Sequence, residues 1–182
     1  MSTNDQQLLR LFLESSRTEL LGLTWSRLRE CVTPLTEEQV WWRPNDASNS
    51  IGNLLLHLEG NVRQWLIASF NSKNDTRDRP AEFAAQGGIS AADLLTRLGA
   101  TLEEAGQVLG RLTEDELLAP RKIQGYHTRG LDAIYHVVVH FGLHYGQIVY
   151  ITKSLLAKDL GFYKELNKTG RVSGGTNLPA QP

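Results

Sequence analysis

Cysteine is almost missing from this chain of 182 residues, in which Cys31 is the only one. An intrachain disulfide is therefore excluded, and the composition suits a reducing cytoplasm. A lone cysteine can be a nucleophile, but Cys31 stands beside Val32 at the end of a helical pattern, which favours a packing role. Residues 1–5 are polar and lack the apolar core of a signal peptide, so we expect a cytoplasmic protein.

Long apolar runs and an excess of one charge are missing as well. No apolar run reaches the roughly 18 residues that a membrane span requires, so no membrane partner is expected. The formal net charge is -1 and no block of five or six basic residues occurs, which argues against binding nucleic acid. With 41% hydrophobic and 21% charged residues, the chain is typical of one globular domain with its own core.

Four long segments carry apolar residues at the three-to-four spacing of amphipathic helices. They run from Leu8 to about Val32, from about Ile51 to Phe70, from Ser90 to Leu112 and from about Leu131 to Leu156. This pattern predicts an all-α fold, a single four-helix bundle over residues 1–165. The Gly- and Ser-containing residues 166–182 are predicted to form a mobile C-terminal tail.

The shorter segments between these helices also carry signals. Residues 71–88 are polar and predict a connecting loop, whose length is common among functional loops. Residues 121–130 contain two glycines and predict a small β-like turn, with His127 as a loop histidine. Trp41 and Trp42 are expected to pack against the bundle, with stacking on a substrate as the alternative.

Three of the five histidines stand four residues apart in the last helical segment, as His136, His140 and His144. A step of four turns a helical side chain by only ~40°, so the three imidazoles form one row. Ile151 and Leu155 fall beside the same line, and the row is therefore predicted to lie within the buried face. Buried imidazoles need partners, and a metal ion held by histidines at i and i+4 is one such partner.

His57 lies on the second helical segment, but not on its apolar line. Counted by rotation, it stands ~120° to one side, next to Asn53, Asn61 and Gln64. This position is unusual for a core residue. Considered alone, the helix would predict a surface histidine here.

Several spaced motifs together resemble the DinB-like superfamily of metalloenzymes. They are Ser50-Ile51-Gly52-Asn53-Leu54-Leu55-Leu56-His57 with Asn61 after it, His140-x-x-x-His144-Tyr145-Gly146-Gln147-Ile148, and the segment Leu35-Thr36-Glu37-Glu38-Gln39-Val40-Trp41-Trp42-Arg43-Pro44. The resemblance spans about residues 8–160. It implies an up-down-down-up order of the four helices.

The resemblance also implies a metal site. A divalent ion (Zn, Ni, Fe or Mn, which the ligand type does not distinguish) would be held by His57, His140 and His144. The side chains expected to support these ligands are His136, Gln147 and Asn61, and the alternative is that His136 replaces His140 as a ligand. Family members include enzymes that use a low-molecular-weight thiol, such as mycothiol or bacillithiol, for isomerisation or S-transfer. By analogy we expect a homodimer and a small-molecule substrate.

Three neutral imidazoles would leave open positions on the metal, where a water or a thiol loses its proton easily. No Glu or Asp adjoins the histidine motif as a base, and Gln147 cannot accept a proton at pH 7. A metal-dependent enzyme similar to the thiol transferases and isomerases is therefore the favoured prediction. The alternatives are a metal-dependent hydrolase, a non-catalytic metal-binding or stress-related protein, and a histidine row that binds no metal.

Overall fold

A computed structural model of the chain describes residues 3–71 and 74–169, which are mostly helical. In chain order its elements are α1 (Thr3–Leu21), α2 (Leu23–Val32), α3 (Glu37–Trp41), α4 (Ile51–Val62), a π-helical segment (Arg63–Ala68), α5 (Ser69–Asn71), α6 (Arg79–Ala84), α7 (Ala91–Arg111), α8 (Glu114–Leu118), β1 (Pro120–Ile123), β2 (Tyr126–Arg129), α9 (Gly130–Leu156) and α10 (Lys164–Thr169). All four long segments that the spacing predicts as helical are helical. Most of the predicted tail, residues 166–182, lies outside the described residues.

The first predicted helix is interrupted. Gly22 separates α1 from α2, with a ψ of -114° that no helix contains. A Cβ at this position would lie 2.4 Å from the carbonyl oxygen of Thr18, so the chain passes too close to itself here for a larger residue. The apolar spacing continues across the break, which is why the sequence predicts one helix.

Helix α4 is the central element of the fold. It packs against α7, α9 and α6, and its polar line contacts both α6, through Asn53, and α9, through His57 and Asn61. All of its residues except Leu56 and Gly60 are buried. The polar line of α4 is therefore as buried as its apolar line, and the interpretation of His57 as a surface histidine is wrong.

Helix α6 lies within residues 71–88, where the sequence predicts a loop. The side chain of Asp78 accepts a hydrogen bond from the backbone N–H of Ala81, and Pro80 occupies the first turn, as is common at helix starts. The helix has only six residues and no apolar periodicity, so the pattern does not reveal it. Its position is set by α4, because the Asn53 amide donates to the carbonyl oxygens of Glu82 (2.9 Å) and Ala85 (2.8 Å).

The predicted β-like turn is an antiparallel hairpin of β1 and β2, in which Ile123 pairs with Tyr126. Gln124 and Gly125 form its two-residue turn with φ values of 51° and 83°, as the tight hairpin turns require. His127 lies exposed on β2. Because β2 runs directly into α9, the hairpin stands beside the first turns of the histidine-bearing helix.

Trp41 and Cys31 pack within the fold, whereas Trp42, which was expected to pack as well, is 41% exposed. The Trp41 ring lies so close to Gly52 that a Cβ there would be 2.7 Å from it, and Trp41 Nε1 donates to the Ile89 carbonyl oxygen at 3.0 Å. Cys31 is fully buried, and burial raises the pKa of its thiol to about 11. Among the described helices, none is long and apolar enough to cross a membrane.

Candidate metal centre

Three imidazoles from two helices meet beside the seam between α4 and α9. The Nε2 atom of His140 lies 3.0 Å from that of His57 and 3.2 Å from that of His144. One ring nitrogen from each of the three lies within 4.8 Å of the others, which makes this trio a possible metal site. The structure thus brings together the three residues that the resemblance implies as ligands.

The histidine row of α9 is half-buried, so the prediction that it lies within the buried face needs correction. His136, His140 and His144 are all partly exposed, whereas Val137, Phe141 and other neighbours face the core. The row runs along the edge of the buried face, where α9 borders a cavity. His57, by contrast, is only 4% exposed and closes the site from the α4 side.

Hydrogen bonds set the tautomers of two of these imidazoles. His57 Nδ1 lies 2.8 Å from Glu82 Oε2, and His144 Nδ1 lies 2.7 Å from Gln147 Oε1. Both oxygens can only accept, so each Nδ1 carries the proton and each Nε2 presents its lone pair. Arg77 Nη2 is also 3.0 Å from His57 Nδ1, but its N–H groups have Glu82 Oε2 as an acceptor at 2.9 Å.

The central imidazole, His140, is held in its neutral form. Burial, followed by the neighbouring His144 and His57, lowers its pKa to about 3. Burial also lowers the pKa of His144. Neutral imidazoles are the form that binds metal.

The donor set fits a metal ion. The Nε2–Nε2 distances of 3.0 and 3.2 Å resemble the roughly 3.0–3.4 Å expected between nitrogens that share one ion at about 2.1 Å.

Glu82 and Arg77 form an ion pair on the Nδ1 side of His57, and the sequence did not predict it. Arg77 Nε lies 2.6 Å from Glu82 Oε1. Burial alone would raise the pKa of Glu82, but the hydrogen bonds from Arg77 and then from His57 hold it below its usual range. Both residues belong to the segment that the sequence predicts as a loop. The Asp78–Pro80 helix start was the only signal that could have placed a helix near them.

His136 stands beside the three imidazoles rather than among them. Its Nε2 accepts from Asn61 Nδ2 at 3.2 Å, and its ring stacks on Trp65 with a centroid distance of 4.0 Å. The His140 ring lies 5.4 Å away. His136 and Asn61 are therefore partners of each other, and Gln147 is the partner of His144.

A cavity of about 490 Å³ adjoins the site. Its lining includes His57, His136 and His140 together with Tyr126, His127 and Thr128 of β2. A second cavity, of about 500 Å³, lies on the other side of the Arg77–Glu82 pair and is lined by no histidine. Of these two cavities, the first is the one that borders imidazoles, those of His57, His136 and His140.

One family model matches the chain, and two solved structures share its fold. The model of the DinB superfamily matches residues 20–148. A conserved protein from Enterococcus faecalis of known structure has a TM-score of 0.65 at 16% identity, covering 87% of this chain and 99% of its own. A DinB-like protein from Bacillus cereus has a TM-score of 0.59 at 15% identity, covering 91% and 95%. At such identities the two structures show the fold alone, and no curated protein sequence matches the chain.

Acidification is expected to destabilise the metal-free protein through His140. Its pKa is about 3 in the folded chain and near the ordinary 6.5 in the unfolded chain, so unfolding takes up a proton between these values. Stability is therefore highest above pH 6.5 and falls as the pH drops toward 3. Guanidinium unfolding with a chelator present should show a shallower fall from pH 7 to pH 5 for His140→Gln than for wild type. Equal slopes in the two proteins would contradict this assignment.

Proposed function

The chain belongs to the DinB superfamily, and from this premise we propose that it is a metal-dependent enzyme acting on a small molecule through an activated thiol. His57, His140 and His144 are the proposed ligands. The observation that carries the proposal is the convergence of these three ring nitrogens within 4.8 Å, beside a cavity of about 490 Å³. Three protein ligands are typical of catalytic rather than structural metal sites, because coordination positions stay open.

A bound divalent metal would supply Lewis acidity and make a thiol or water a stronger nucleophile at neutral pH. The protein's own residues supply the rest. His57 and His144 direct lone pairs inward because their Nδ1 atoms donate to Glu82 and Gln147. Residues of the hairpin strand β2 and of the histidine cluster line the cavity in which a substrate would be oriented.

The carboxylates near the site favour thiolate chemistry over base-assisted hydrolysis. Glu82 is engaged by Arg77 and His57, and these contacts hold its pKa low. Asp132 lines the cavity, but Arg129 binds both of its oxygens and holds its pKa below the usual range. A strongly paired carboxylate is a weak proton acceptor. A thiol that loses its proton on metal binding needs no such base, whereas hydrolysis commonly uses one.

We also propose an order for the four helices, a homodimeric assembly and a cytoplasmic location. An up-down-down-up four-helix bundle is supported by the packing of α4 on α7 and α9 and of α1 on α7. A homodimer is supported by an exposed apolar row on α9, where Tyr135, Val139 and Leu143 are 62%, 52% and 61% exposed. A cytoplasmic location is supported by the absence of any cysteine other than the buried Cys31.

A hydrogen-bonded cluster without metal is the second candidate for the histidines. The same distances of 3.0 and 3.2 Å that fit a shared ion also fit one Nε2–H of His140 that is shared between the Nε2 lone pairs of His57 and His144. Metal content distinguishes the two.

Untagged protein purified without chelator and offered Zn, Ni, Fe or Mn is expected to bind about one ion per chain. His57→Ala, His140→Ala and His144→Ala should each lower metal affinity by at least tenfold, because each removes one of three ligands. His136→Ala is the matched control from the same row and should retain the metal. Elemental analysis and competition with a chromophoric chelator give the readout. Retention by His57→Ala with loss by His136→Ala would overturn the ligand assignment, and no metal in wild type would favour the hydrogen-bonded cluster.

The metal-loaded protein is expected to catalyse thiol transfer to an electrophile. With bacillithiol, mycothiol or cysteine as the thiol and a chloronitrobenzene as the acceptor, the thiolate sulfur bonds to the ring carbon and chloride leaves. Absorbance would follow the product, and His144→Ala should lose the rate above background. Full metal binding without turnover of any thiol pair would favour the non-catalytic alternative, and turnover of esters without thiol would favour a hydrolase.

Leu143→Glu is expected to convert a dimer into a monomer, because it places a charge in the middle of the exposed apolar row of α9. Light scattering after size-exclusion chromatography measures the mass. Leu118→Glu is the matched control, since Leu118 is 51% exposed but lies on α8. A monomeric wild type, or dissociation by both substitutions, would rule out this interface.

A further inference from the structure

The ion pair of Glu82 and Arg77 fills the space behind His57. We propose that Glu82 is a positioning residue, which fixes the ring orientation and the Nδ1–H tautomer of His57 so that its Nε2 lone pair faces the metal position. Arg77 in turn holds the Glu82 carboxylate in place. The effect of Glu82 on metal binding rests on the proposed function. Its effect on the His57 tautomer does not, because the tautomer is a property of the metal-free chain.

The contacts among His57, Glu82 and Arg77 are unusual because all three side chains are buried. The His57 and Glu82 side chains are 5% and 9% exposed, and that of Arg77 is 4% exposed. Burying a carboxylate and a guanidinium removes the hydration of both charges, and a buried ion pair often adds little net stability over apolar packing. The pair is therefore poorly explained as a stabilising device. An acceptor for the Nδ1–H of a metal-binding histidine is what such sites commonly require.

Helix α4 leaves space for the Glu82 carboxylate at Gly60. Gly60 lies three residues after His57, and thus on nearly the same side of the helix. A Cβ at Gly60 would stand 2.0 Å from Glu82 Oε1 and 2.8 Å from Arg77 Nε. The ion pair can occupy its place only because residue 60 has no side chain.

Two side chains, those of Asn53 and Arg43, hold the backbone around Glu82 in place. Asn53, fully buried on α4, donates to the carbonyl oxygens of Glu82 and Ala85. Arg43 donates to those of Phe83 (3.0 Å) and Ala85 (2.9 Å). These hydrogen bonds fix the C-terminal end of α6. The Glu82 carboxylate therefore contacts His57 from a fixed backbone position.

The network continues past Arg77 toward the hairpin. Gln64 Oε1 accepts from Arg77 Nη1 at 3.0 Å, and it also accepts from Gln124 Nε2 in the hairpin turn. One set of hydrogen bonds therefore runs from the hairpin turn to His57. Without the carboxylate at its end, the His57 ring could place its proton on Nε2, and an N–H group cannot bind metal.

Two measurements on Glu82→Gln test the proposal. The first is the His57 tautomer of the metal-free protein, read from long-range nitrogen-15 spectra of the imidazole. We expect the Nδ1–H form in wild type and a mixture in the variant, because an amide can both donate and accept. The second is Zn²⁺ affinity by chelator competition, which should fall about 10- to 100-fold, as for other partners of metal-binding histidines. Glu82→Asp should recover part of that loss.

Glu59→Gln is the matched control. Glu59 lies on α4, is 8% exposed like Glu82 and pairs with Arg63 (3.2 Å) and Arg97 (3.0 Å), so its ion pairs are with arginines and not with the histidines. It should keep zinc affinity within about twofold of wild type. An equal loss in both variants would show a general effect of buried charge and overturn the proposal, as would an unchanged tautomer with unchanged affinity in Glu82→Gln.

Gly60→Ala provides an independent variant if Glu82→Gln does not fold. It displaces the carboxylate without removing any member of the pair, and the same shifts of tautomer and affinity are expected. If wild type binds no Zn²⁺ but Glu82→Gln still changes the His57 tautomer, the proposed function fails while the positioning role stands. If wild type binds Zn²⁺ and neither variant changes the tautomer, only the positioning role fails.

Discussion

Burial of the polar side of α4 is the constraint on which the rest of this structure depends. Asn53, His57 and Asn61 lie along that side, and Gln64 follows them in the π-helical segment; a buried polar group without a partner costs a few kcal/mol. Each finds a partner on another element: the end of α6, Glu82, His136 and Arg77. Meeting these needs places α6, aligns α9 with α4 and brings the imidazoles together.

The same arrangement explains the charge distribution of the site. The side that faces α6 holds a carboxylate and a guanidinium that neutralise each other. The side that faces α9 holds imidazoles, of which His140 and His144 have lowered pKa values because of burial. The result is a set of neutral nitrogen donors backed by a fixed carboxylate, next to a cavity. Such a set suits a cation with open positions, and it leaves little capacity for proton transfer by the protein itself.

Helical periodicity accounts for what could be predicted from the residues themselves. Four long apolar patterns predict four helical segments, and the spacing of His140 and His144 places them on one face because a helix repeats every 3.6 residues. The hairpin follows from the glycines of residues 121–130. The break at Gly22, the helix α6 and the half-burial of the histidine row were not predicted. Each depends on close approach between elements that are distant along the chain, to which a local pattern is insensitive.

The sequence by itself determined the helices and the His140–His144 pair, because both depend on spacing within one segment. It also contained the motifs whose resemblance to the DinB-like superfamily associates His57 with that pair. Only the tertiary structure decided that His57 is buried and that its ring meets His140 at 3.0 Å. Only the tertiary structure places the side chains of Glu82 and Arg77 against Gly60, which is more than ten residues from either of them along the chain. The physical reason is that a buried polar group is satisfied by whatever partner the packing supplies, and packing joins residues without regard to their order.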